Sequence, residues 1–167
     1  MQTLNSPLEV GLRTVVTLTA SFPDALDIDR LLLMDYCLLH SADLGGPESV
    51  LPSIDTRGGE LAVRRSVLEH GVHLMVRAGM IEISTSPLGI AYRASESAAP
   101  FLVLVSSPHL GRISEVATWT ATEFSDLSTE QIRSRMRQIS NQWFVQATDD
   151  RPTVRRQPPD EDREAGL

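Results

Sequence analysis

The chain has 167 residues, 41% of them hydrophobic and 22% charged, which suits one domain with a core or a small domain carrying a helical extension. Its 15 basic residues are all arginine, and a formal net charge of −7 opposes binding of nucleic acid by bulk electrostatics. No apolar run approaches the roughly 18 residues of a membrane span, the N-terminus lacks a basic region followed by an apolar one, and the single Cys37 forms no internal disulfide, so a cytoplasmic protein is expected.

In chain order, "SPLE" at residues 6–9 combines a serine N-cap, a proline at the first helical position and a glutamate that can answer the cap, so a helix starts at Pro7. Leu8, Leu12, Val15, Val16 and Thr19 follow at helical spacing until Pro23 breaks the run. Asp27 caps a second helix, whose apolar stretch "IDRLLLMDYCLLHS" is too continuous for a surface helix and too long for a strand. The segment "HSADLGGPESVLPSIDTRGGELAVRR" then interposes two Gly-Gly pairs and an irregular loop, residues 42–59, where connections of about four to six residues are usual.

A third helix is predicted over residues 60–79, closed by Gly79, and "MIEIS" and "IAYRA" flank "TSPLG" as a β-hairpin. Ser95 is expected to cap a short helix that Pro100 interrupts early. A longer helix follows Pro108, with Leu110, Ile113, Ala117 and Phe124 on one face. "STEQ" at 128–131 is a second capping box, opening a helix striped by Ile132, Met136, Ile139 and Trp143. Residues 149–167 have almost no apolar side chains and are expected to be disordered. The fold class expected is mainly α with a small β-hairpin: a winged helix-turn-helix over residues 5–95, then C-terminal helices, residues 96–148, packed on it.

A winged helix invites DNA contact through Arg64, Arg65 and Arg77 of the third helix. At about 100° per residue, Leu68, Val72, Met75 and Val76 fall within about 60° of Leu61 and define a core face, with Arg64 and Arg65 at its margins. Val63, Val67 and Leu74 make a second apolar stripe opposite, where a DNA-reading helix would present polar groups. A DNA-binding helix-turn-helix also joins its last two helices by about three or four residues, far fewer than here. The bland alternative for the arginines is neutralisation of nearby acids such as Asp35, Asp43 or Glu69.

Catalytic chemistry finds little footing. Cys37 with His40, and His70 with His73, have helix-face spacing but no further ligands, so no metal is expected. "GGPES" and "RGGEL" lack the Lys-Ser/Thr of a phosphate loop, and "SEVATWTATEFSD" has no histidine beside its serine and acids. No cofactor and no enzymatic activity are expected.

"LNSPLEVGLR", "LMDYCLLHSADLGGPESVLP", "RGGELAVRRSVLEHGVHLMVRAGMIE" and "GIAYRASESAAPFL" together resemble the middle component of bacterial ABC-three-component systems, over residues 4–148. The resemblance implies a small winged-helix protein acting beside an SMC- or Rad50-like ABC ATPase and a third, larger component, similar to Lamassu-type systems directed against phage or plasmid DNA. The implied role is that of a non-catalytic adaptor, touching DNA only weakly or indirectly. Its partner-binding surface is expected to include Asp43, Leu44, Gly45, Gly46 and Pro47, then Arg57, Gly58, Gly59 and Glu60, and finally Val63, Val67 and Leu74. The competing expectation is a free-standing winged-helix transcription regulator that forms a homodimer through its C-terminal helices.

Overall fold

The computed structural model describes residues 6–50 and 60–149, with side chains described over 6–50 and 64–139. These residues form α1 (Pro7–Ala20), α2 (Ile28–Leu39), a 3-10 turn (Ser41–Leu44), α3 (Glu60–Arg77), the antiparallel strands β1 (Ile81–Ser86) and β2 (Gly89–Ala94), α4 (Ala98–Leu104), α5 (Pro108–Glu123) and α6 (Thr129–Asp149). The coarse class, mainly helical with one hairpin, is as the sequence indicates.

Most helix starts follow the side-chain chemistry read above. The Ser6 hydroxyl accepts the Glu9 amide at 3.3 Å and Asp27 accepts that of Arg30 at 2.7 Å; Ser107, a cap not singled out in the sequence, accepts that of Leu110 at 3.1 Å. Ser128 and Gln131 form the full reciprocal box, at 3.2 and 2.8 Å. Two local expectations are corrected. Pro100 does not interrupt α4, because it lies in the first turn, where its missing amide has no helical partner to lose. Ser95 does not cap that helix; its hydroxyl donates to the Gly79 carbonyl at 2.6 Å and accepts from the Ser97 amide, tying the end of α3 to the end of β2.

The centre of the molecule is α1. Its residues from Val10 to Leu18 are buried apart from half-buried Leu12, whereas Leu8, first of the expected apolar row, is 63% exposed. Two features let so short a helix touch neighbours on several sides. Gly11 faces Gly71 of α3, and a Cβ on Gly71 would lie 2.6 Å from the Pro7 carbonyl oxygen and 2.7 Å from the Gly11 nitrogen, so the two backbones pack with no side chain between them. On another side the Arg13 guanidinium grips Asp35 of α2 through two bonds of 2.8 and 3.0 Å, both side chains largely buried.

Among the described residues, three apolar clusters fill the interior. The first joins Val10, Val15 and Leu18 of α1 to Leu68, Val72 and Met75 of α3 and to Ile81 and Tyr92 of the hairpin. A second sets Val16, Leu38 and Leu39 against Leu110, Ile113, Val116 and Ala117 of α5. In the third, Leu33, Met34, Cys37 and Leu44 meet Phe124 and Ile132. The hairpin turns through Pro87 and Leu88 between the paired residues Ser86 and Gly89. Leu26, in the segment between α1 and α2, forms an antiparallel bridge to Tyr92, exchanging two backbone bonds of 2.8 Å.

Candidate functional site

The loop that follows α2 starts as a tightly fastened structure. Its 3-10 turn ends at Gly45, whose φ of 80° lies in the left-handed region that glycine adopts without steric cost. The Ser41 hydroxyl donates to the Pro47 carbonyl at 2.9 Å, the Gly46 amide donates to the Ser41 carbonyl at 2.9 Å, and the Ala42 amide donates to Ser49 at 3.1 Å. Gly46 lies against the indole of Trp119 in α5; a Cβ there would come within 2.5 Å of the ring. From α6, Arg135 donates to the Leu44 carbonyl at 3.1 Å while its guanidinium sits 5.3 Å from the centre of the Phe124 ring.

These contacts locate the first group of expected partner-binding residues. Leu44 is buried in the cluster with Phe124, Asp43 and Pro47 are half-buried, Gly45 shapes the turn and Gly46 meets Trp119. Both glycines of "DLGGP" are therefore used within the protein itself, one for its φ and one for close approach. Arg57, Gly58 and Gly59 lie outside the described residues. Glu60 and Val63 belong to the first turns of α3, and their side chains lie outside the described set as well.

Further along α3 the apolar row divides. Val67 is half-buried and packs on the first cluster, whereas Leu74 is 42% exposed. The core face is as helical geometry requires: Leu68, Val72 and Met75 are buried, and Val76 packs beside them. Arg65 is bonded to Asp29 of α2 and at 3.2 Å to Glu69, and the hydrogen bond to Asp29 is the main cause that raises its pKa above the ordinary value. Asp35, named above as a candidate partner for the arginines of α3, is instead held by Arg13, because α2 presents it to α1. Arg64 is half-buried, and Arg77 is exposed in the last turn of α3.

Little in the described region resembles a reaction centre. Burial pushes the Cys37 thiol up to about 12, leaving it protonated and poorly nucleophilic at neutral pH. Among the described residues no three His, Cys, Asp or Glu side chains converge as metal ligands. An open cleft of ≈ 620 Å³ lies between the α1–α2 segment and the end of α5, lined by Phe22, Leu26, Arg30, Met34, Thr122 and Leu127 among others. Its cation is already engaged: Arg30 donates to the Leu127 carbonyl at 2.6 Å and the Phe124 carbonyl at 2.7 Å.

Of the four sequence blocks quoted above, one runs from α2 into the loop and one covers α3, the others falling on α1 and on β2 and α4. A family model described as ABC-three component (ABC-3C) system Middle Component 2 matches residues 3–146. The chain belongs to this family. No curated protein and no solved structure is found to match it. Within this Middle Component 2 chain, no helix of the described residues is long and apolar enough to cross a membrane.

Several contributors were not read from the sequence. Gly11 and Gly71 had a signal, since glycine inside an apolar helix costs about 1 kcal/mol relative to alanine and points to a packing reason. Arg13 with Asp35, and Gly46 with Trp119, join residues far apart in the chain and left no local pattern.

Proposed function

We propose that this chain is a non-catalytic adaptor subunit of its three-component system, a winged-helix body that binds an SMC- or Rad50-like ABC ATPase and a larger third component in defence against phage or plasmid DNA. The family match over residues 3–146 carries the reading. The order α1, Leu26 bridge, α2, α3, β1, β2 supports the winged helix, with the bridge in the place of its first strand. A division at residue 95, with α4 to α6 as an extension, accompanies this reading.

The charges on α3 support a protein partner over DNA. Arg65 already serves two acids, and a cation engaged this way releases few counterions on meeting phosphate. Leu74, exposed on the same helix, offers an apolar contact to a protein. The "DLGGP" turn, fixed on Trp119, holds Asp43 and Pro47 in one place, half-buried at the surface where a partner would meet them. Co-purification of the tagged protein with the products of its neighbouring genes tests the adaptor. Retention of a neighbouring ABC ATPase is the expected result, and tight binding of the protein alone to one short duplex at physiological salt would replace the adaptor with the transcription regulator.

A further inference from the structure

Among the described residues, the hairpin has one edge closed and one without a paired strand. Tyr92 of β2 spends both its amide and its carbonyl on Leu26, so both groups point away from β1. Tyr92 faces Ile83 across the hairpin, and in an antiparallel ladder this makes Ile83 a residue whose own amide and carbonyl also point outward, away from β2. Thr85, two residues on, repeats the orientation. At Ile83 and Thr85 the outer edge of β1 therefore offers two amides and two carbonyls. The strand reads "IEISTS", without the proline or lysine that often blunts such an edge. On the face shared by Ile83 and Thr85, the hairpin also exposes Ile83 by 51% and Ile90 by 56%.

We propose that this edge pairs antiparallel with β1 of a second copy, joining two hairpins into one four-stranded sheet across a twofold axis at Ser84. In this register Ile83 of each copy exchanges both backbone bonds with Thr85 of the other, so every outward group of the two residues is used. The side chains agree with it. Ile83 meets the β-branched Thr85, an apolar pairing suited to a sheet face. Glu82, the one charged residue of β1, meets Ser86 and lies about 13 Å along the strand from the Glu82 position of the other copy, beyond the screening length of about 8 Å. Charge is thus not opposed anywhere across the junction. Within each copy Glu82 keeps its 2.8 Å partner Arg93.

The test combines sedimentation equilibrium with disulfide trapping on the full chain. The measured mass should rise toward that of two chains with concentration, and Thr85→Pro should abolish the rise. Proline at 85 removes only an outward amide and leaves the β1–β2 ladder intact. Ser84→Cys should form a disulfide-linked dimer on mild oxidation, because the two Ser84 positions face each other as a close pair with Cα atoms about 4.5 Å apart. Ser86→Cys should not, and buried Cys37 does not compete. A protein that stays monomeric, a dimer untouched by Thr85→Pro, or equal trapping at 84 and 86 would each overturn the proposal. If the protein is monomeric and Thr85→Pro instead removes a neighbour-encoded partner from co-purification, the edge belongs to that partner and self-pairing is rejected. Should Thr85→Pro fail to fold, trapping at 84 against 86 still decides.

Discussion

The α1–α3 junction and the side of α2 that faces α5 and α6 are held by different physics. Between α1 and α3 the protein relies on shape: the two helices touch backbone to backbone at Gly11 and Gly71, and apolar side chains close around them. Toward α5 and α6, arginines reach across to main-chain carbonyls, Arg30 to Phe124 and Leu127, and Arg135 to Leu44. Close-packed contacts tolerate no added atom, whereas guanidinium clamps tolerate small shifts and satisfy helix ends that would otherwise lack donors. One region is thus specified by what is missing from the side chains and the other by how far they extend.

The largest effect should come from the joint between α1 and α2. Arg13→Ala leaves Asp35 buried without its bidentate partner and should cost about 3–5 kcal/mol of unfolding free energy, measured by urea denaturation. Gly71→Ala forces a methyl against the main chain of α1, where nothing can rotate aside, and should cost about 1–3 kcal/mol by the same measurement. Arg30→Ala should cost less, about 1–2 kcal/mol, since its half-exposed site lets water replace part of what the carbonyls lose. Equal losses for Gly71→Ala and Arg30→Ala would erase the contrast between the two regions.

Smaller effects sharpen it. Cys37 should resist a neutral alkylating reagent until the protein unfolds. As pH climbs from 9.0 toward about 12, the unfolded chain alone ionises this thiol, so stability should fall across that window. Leu74→Asp should leave the unfolding free energy within about 0.5 kcal/mol and weaken partner retention, while Val67→Asp should destabilise the fold because Val67 packs on the core.

Much of the fold was legible in the sequence because its signals are local. Ser6, Asp27, Ser107 and Ser128 each cap an amide three residues on, and the 3.6-residue period of α3 assigned Leu68, Val72 and Met75 to the core. The candidate site was harder to read. Glycine pairs in "DLGGP" look alike whether they serve an interface or an internal contact, and only the tertiary position of Trp119 distinguishes the role of Gly46. Periodicity likewise put Val67 and Leu74 on one stripe, but the neighbours that cover Val67 and leave Leu74 open come from elsewhere in the chain.

The bridge at Leu26 has a consequence for how the molecule opens. Leu26 is tied to the hairpin, Asp27 caps α2, and Arg30 secures the turn between α5 and α6, all within five consecutive residues that contain no glycine. Separate fluctuations of the hairpin and of the α5–α6 turn would each have to distort this short tie. Amide protons at Tyr92, at the start of α2 and at Phe124 should therefore exchange with deuterium as one cooperative unit, although they lie in three different stretches of the chain.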